Sequence, residues 1–189
     1  MSPIRTFENR TPKIDPLAVL DPLCLVIGDV HIGANTSLWP GVVVRGDIHQ
    51  IRIGSDSNIQ DGCVLHVSHD GPFMPGGSAL LIGDRVTVGH RAVLHGCTIG
   101  DDCLIGMGSI LLDNAVVEPW AFVAAGTLVP PGKVVRAGTL VMGNPMRVVR
   151  ECTEKDREWI VHSWRSYVKR AREYLERDHA RGRGRDRER

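Results

Sequence analysis

Aromatic side chains make up only 5% of this 189-residue chain, although 42% of it is hydrophobic. A bulky aromatic core is therefore excluded, and aliphatic layers must do the burying. Charge of one sign is also lacking: 23 Lys and Arg against 22 Asp and Glu leave a formal net charge of +1. No global field directs the chain to nucleic acid or to a membrane surface. Long apolar runs are absent, and LCLVIG (Leu23–Gly28) is far too short to span a bilayer. The opening stretch, MSPIRTFENRTPKIDP, has no apolar segment of the secretory kind. Cysteine is sparse: five residues, an odd number, with no CxxC pair. That excludes a disulfide framework and a cysteine zinc site, and it is expected of reduced thiols in a cytoplasmic protein. Cys24, Cys63, Cys97 and Cys103 are read as small core residues. The length is enough for one domain with a real core.

Glycine, by contrast, is plentiful, with 21 residues. Much of it falls on a six-residue beat. From Ile32 the chain reads IGANTS, LWPGVV, VRGDIH and then, after a three-residue slip, IGSDSN, IQDGCV, LHVSHD. A looser stretch follows near 69–79, after which come IGDRVT, VGHRAV, LHGCT (one residue short), IGDDCL, IGMGSI, LLDNAV, VEPWAF, VAAGTL, VPPGKV and VRAGTL. The first place is always Ile, Leu or Val. Neither a helical period of 3.6 nor a strand period of 2 produces this pattern. A hexapeptide solenoid does: each block is a short strand and a turn, three blocks close one triangular coil, and coils stack about 4.8 Å apart. The solenoid is expected over 1–150, with a lead-in and an excursion loop near 69–79. After it, Thr153 and Asp156 resemble a capping box, and Ile160, Trp164, Tyr167, Val168, Ala171 and Leu175 recur at helical spacing. One amphipathic helix is expected over 151–180, and a charged, disordered tail over 181–189.

The beat assigns faces to the histidines. His66 and His95 are both second residues of blocks on one face, one coil apart, with Arg45 in line and Asp47 two residues on. Two stacked imidazoles suit two ligands of one metal. His90 is third in a block on the neighbouring face, around a corner. It reaches the same metal only from a second copy whose face packs on the first, and three copies close such a contact into a ring. The result is a His₃ site with an open fourth position, the form of a catalytic zinc centre. His31, His49, His69, His162 and His179 are read as surface histidines, although the loop of His69 is placed near the site.

The stretches WPGVVVRGDIHQIRIG, SNIQDGCVLHV, VTVGHRAVLHGCTIGDDCLIGMG and GNPMRVVR closely resemble γ-class carbonic anhydrases and their bacterial relatives. The resemblance runs from about Ile4 through the C-terminal helix. It implies an all-β left-handed parallel β-helix with a C-terminal α-helix, the hand being taken from the resemblance alone. It implies metal ligands at His66, His90 and His95, with His90 given across the subunit interface of a homotrimer. Arg45 and Asp47 match an ion pair that organises the site. Gln60 matches a glutamine that hydrogen-bonds the metal-bound water or substrate. Asn58 matches a neighbouring polar residue, and Tyr167 a helix tyrosine that reaches toward the site. The implied activity is reversible hydration of CO₂ to bicarbonate by a metal-bound hydroxide, with Zn²⁺ as cofactor and Fe²⁺ or Co²⁺ as other metals an imidazole site accepts.

Three departures bear on that activity. Ile48 follows Asp47 where the archetype is acidic. The loop VSHDGPFMPGGSA has no Glu for a proton shuttle, leaving His69 or Asp70. Ser166 replaces an Asn before Tyr167. Two other functions therefore stay open: an acyl-CoA thioesterase or acyltransferase on the same scaffold, and a non-catalytic metal-binding assembly protein. Nucleic-acid and membrane partners are not expected.

Overall fold

First-place aliphatics every six residues leave short strands whose inward side chain is always Ile, Leu or Val, and the structure follows that beat. It is a computed structural model that describes residues 3–185, with side chains as far as Arg177. The chain winds as a left-handed parallel β-helix of about eight turns, followed by a single C-terminal helix. Three parallel ladders form its faces. One stacks Val64–His66, Val93–His95, Ile110–Leu111 and Leu128–Val129. The second stacks Leu80–Ile82, Thr98–Ile99, Val116–Val117 and Val134–Val135. The third runs from Val19–Leu20 through Ser37–Leu38, Asn58–Ile59, Thr87–Val88, Leu104–Ile105 and Phe122–Val123 to Thr139–Met142.

The three-residue slip in the beat has a structural cause. Val43–Ile53 is one eleven-residue strand that turns a corner. Its start pairs with Val64–Leu65 and its end with Leu80–Ile82, so it joins two faces into one sheet. The excursion leaves after Val64–His66 and is closed by bridges between Ser68 and Ser78 and between Gly71 and Met74. Because it comes and goes at one corner, register is kept on either side.

The core is a set of vertical aliphatic stacks. Val44, Leu65, Leu94, Leu111 and Val129 form one, each fully buried, and Ile59, Val88, Ile105, Val123 and Val141 form another. Each such side chain contributes roughly 1.5–3 kcal/mol of burial. Cys63, Cys97 and Cys103 fill small gaps, and all five cysteines are unpaired. The second-place glycines are required by the stacking itself: a Cβ on Gly33 would lie 2.7 Å from the Gly54 carbonyl carbon, and one on Gly54 would lie 2.6 Å from that of Gly83.

The solenoid is capped by an antiparallel pair, Thr139–Met142 with Arg147–Glu151. The helix then runs Glu154–Arg185. Thr153 Oγ1 accepts the Asp156 N–H at 3.2 Å and the Asp156 carboxylate accepts the Thr153 N–H at 2.7 Å, which is the reciprocal cap expected of this pair. The helix continues past 180, so 181–185 of the expected tail is helical; 186–189 lie outside the described residues. Its inner face, with Ile160 and Ala171 buried, lies on the third ladder. Trp39 sits edge-on between Tyr167 and Tyr174, at ring separations of 5.4 and 5.2 Å. No helix of the described residues is long and apolar enough to cross a membrane.

Candidate metal centre

His66 and His95 are paired in register on adjacent coils of the first ladder. Nδ1 of His66 and Nε2 of His95 lie 3.1 Å apart. Behind each ring stands a carboxylate: Asp47 Oδ1 is 3.2 Å from His66 Nε2, and Asp113 Oδ1 is 3.0 Å from His95 Nδ1. A carboxylate only accepts, so the nitrogen that faces it carries the ring proton. The two nitrogens that face each other are then both bare lone pairs, a repulsive contact that a cation between them relieves. Burial, followed by the Arg45 guanidinium, pushes the His66 pKa down, which makes a proton a poor occupant. Two imidazole nitrogens on one tetrahedral zinc, each about 2.0–2.1 Å from it, lie about 3.3 Å apart. The donor pair fits such an ion.

Asp47 is itself held in place by Arg45. Burial works to raise the Asp47 carboxyl, but its bonds with Arg45 and His66, its backbone hydrogen bond and the Arg45 charge outweigh that and hold it below the ordinary carboxylate range. Asp113 also accepts from Ser68 Oγ at 2.9 Å, which ties the root of the excursion loop to the second histidine.

His90 belongs to the other cluster. It follows Thr87–Val88 on the third ladder, and its Nδ1 lies 2.9 Å from Asp61 Oδ2, leaving Nε2 free. Its backbone N–H donates to Gln60 Oε1 at 3.2 Å. Gln60 Nε2 donates to Asn58 Oδ1 at 3.2 Å, and Asn58 Nδ2 donates to Thr87 Oγ1 at 3.0 Å. Asn58 is thus spent inside the chain of bonds, where it holds the Gln60 amide. His90, Gln60 and Tyr167 line one cleft of about 460 Å³ between the third ladder and the helix, with Leu104, Phe122 and Trp159 as apolar wall. Burial, and then the Asp61 charge, raise the Tyr167 phenol, so it stays a proton donor.

The residues expected at the site therefore fall into two groups on different faces: Arg45, Asp47, His66 and His95 on one, Asn58, Gln60, His90 and Tyr167 on the other. Within one chain, no three His, Cys, Asp or Glu side chains among the described residues are arranged to hold a metal. Asp61, Thr87 and Asp113 were not foreseen. For Asp113 a signal existed: it lies one eighteen-residue coil beyond His95 in the chain, next to the ladder position above it.

Fold and paired histidines define a hexapeptide-repeat β-solenoid carrying an imidazole donor pair with carboxylate partners. The family described as bacterial transferase hexapeptide (six repeats) matches residues 80–112 and 96–131. The carbonic anhydrase of Geobacillus kaustophilus is 40% identical over 171 residues, which cover 90% of each chain. The mitochondrial gamma carbonic anhydrase 2 of Arabidopsis thaliana is 42% identical over 170 residues, 87% of this chain but 60% of the plant protein. A solved hexapeptide transferase family protein from Anaplasma phagocytophilum superposes with a TM-score of 0.83 at 37% identity, covering 90% of this chain and 97% of that one. The chain belongs to the γ-class carbonic anhydrase-like family of hexapeptide-repeat proteins.

Proposed function

We propose that three copies of this chain close into a ring, that His66 and His95 of one copy and His90 of the next hold one zinc ion, and that the site hydrates CO₂ to bicarbonate. One observation carries the reading. Each of the three imidazoles has its own carboxylate, Asp47, Asp113 and Asp61, which fixes the ring proton on one nitrogen and leaves the other free. That arrangement is what metal-ligating histidines need and surface histidines do not. A zinc ion so held lowers the pKa of a water it binds to about 7.

The chain's own groups do the rest. Gln60, fixed by His90 and Asn58, presents its amide to the cleft and orients an oxygen of substrate or product. Leu104 and Phe122 receive an apolar molecule. Arg45 acts at a distance by locking Asp47, and through it the His66 tautomer. The test is zinc content and CO₂ hydration on one purified sample. The expected outcome is one zinc per subunit and turnover above background that a chelator abolishes. Stoichiometric zinc without turnover would select the non-catalytic assembly reading.

A second reading has one observation in its favour. The cleft is of the size of sites that take much larger ligands than CO₂. An acyl-CoA thioesterase or acyltransferase fits that volume. Thioester turnover that survives the chelator would favour it.

A further inference from the structure

The helix brings one more titratable ring to the cleft. Trp159, His162, Ser163 and Ser166 recur three and four residues apart, so they share one helix face. That face lines the cleft with His90, Gln60 and Tyr167. His162 also lines two further open grooves, one between the helix and the solenoid with Trp120, Arg157 and Arg165, the other along the helix with Lys155 and Asp156. The side chain is exposed. Its ring stacks on Trp159 at 5.6 Å and 23°, and its Nε2 faces Ser166 Oγ at 3.3 Å. The ring is therefore held in one place and touches both the inside of the cleft and open solvent.

We propose that His162 is the proton relay of this site, carrying protons from water in the cleft to base in the open grooves. The inference rests on the hydration reading above. Hydration of CO₂ by water yields bicarbonate and one proton, and that proton must leave before the next cycle. In the relay step a cleft water takes up the released proton as one of its own O–H bonds breaks and an N–H bond forms on the His162 imidazole, so that neutral water remains. The resulting imidazolium then gives a proton to a buffer base in an open groove, and the neutral ring is restored. Imidazole is the side chain suited to this exchange near neutral pH. The titratable groups that share its grooves are His90 and Tyr167 in the cleft, and Glu154, Lys155, Asp156, Arg157, Glu158 and Arg165 on the open side. His69 stands instead on the exposed excursion loop, and Asp70 beside it is occupied by the Gly76 N–H at 2.7 Å. Neither is held against the cleft wall as His162 is.

The test compares H162A and H162Q with the parent in the zinc-loaded full chain. Proton release follows bicarbonate formation, so its loss lowers kcat and spares kcat/KM. In weakly buffered solution kcat should fall about a hundredfold, kcat/KM should stay within about twofold, and added imidazole should restore kcat in H162A. An unchanged kcat, or a joint fall in both parameters without rescue, overturns the relay while leaving the hydration reading intact. No hydration by the parent protein sinks both. A second measurement does not depend on turnover. Diethyl pyrocarbonate, followed by peptide mass spectrometry on the assembled protein, should modify His162 about as readily as the loop histidine His69. Protection of His162 would show that it cannot reach bulk base, and the relay would be wrong.

Discussion

A metal shared between copies has a consequence that no single-chain site shares. In H66A the donor pair is broken but His90 remains; in H90A the reverse holds. Neither variant alone assembles three ligands anywhere, so each should carry almost no zinc. Mixed and reassembled one to one, they should regain some. A site is intact where an H90A subunit supplies His66 and His95 and the next subunit around the ring is H66A. Each condition is met half the time, so about a quarter of all sites should recover in a cyclic trimer. The reason lies in the placement of the ligands. His66 and His95 share the first ladder, while His90 follows a strand of the third and points its free nitrogen away from Asp61. The assay is zinc per subunit by atomic absorption after refolding the mixture, with each variant refolded alone as control. Recovery near zero would refute a shared site, as would full zinc in either variant by itself.

Four further outcomes follow from single contacts. Asp113→Asn keeps the shape beside His95 Nδ1 and removes the charge that fixes its proton, so zinc affinity by competitive titration should fall about 10–100-fold with little change in the metal-free fold. Gly54→Ala pushes a Cβ into the backbone of the next coil, and thermal unfolding should report a loss of about 1–3 kcal/mol; an unchanged midpoint would mean the coils are looser than the structure has them. The Asp156 carboxyl is held well below the ordinary carboxylate range by Arg150 and then by Thr153. Its contribution to the helix start is thus fully present above a free carboxyl pKa of about 3.9 and is lost as pH falls through the lower folded value, so far-ultraviolet circular dichroism of Asp156→Ala should differ from the parent at pH 6 and converge with it in strong acid. Burial pushes Cys24 and Cys63 up to about 11 and Cys97 and Cys103 up to about 12, so a thiol-disulfide reagent at pH 8 should leave these four untouched until the protein unfolds.

Most of the solenoid was legible because its physics is one-dimensional. A first-place aliphatic can point only inward, a second-place glycine marks where coils approach, and counting by six carries the phase from one block to the next. That phase placed His66 over His95 across an excursion loop, and the structure pairs them in register. It also put His90 on another face. Contacts that depend on side-chain reach were not legible. Periodicity places Asp113 one coil beyond His95 and Asp61 one coil from His90, but not the rotamers that bring each carboxylate onto its ring. The helix end was misjudged for a related reason: alternating charge in ARGRGRDRER looks like a solvated tail, yet backbone helix continues through Arg185.

The helix is where the two kinds of information meet. Its 3.6-residue period foretold that Ile160, Trp164 and Ala171 would face the prism, but not which ladder it would cover. Only that choice turns a surface histidine into a candidate relay. Had the helix lain on the second ladder, His162 would face the Thr98–Ile99 and Val116–Val117 strands, far from any of the three expected ligands. Because it lies on the ladder that carries Asn58 and Thr87, the same residue lines the wall opposite His90. The place of His162 at the cleft is thus a property of docking, not of local sequence. A variant that loosens the dock tests this directly: Ile160→Ala, which removes a fully buried anchor of the helix at a cost of about 2–5 kcal/mol, should depress kcat in weak buffer as H162A does while leaving zinc content unchanged. Unaltered kcat, with the helix shown to be displaced, would mean that the proton leaves by another route.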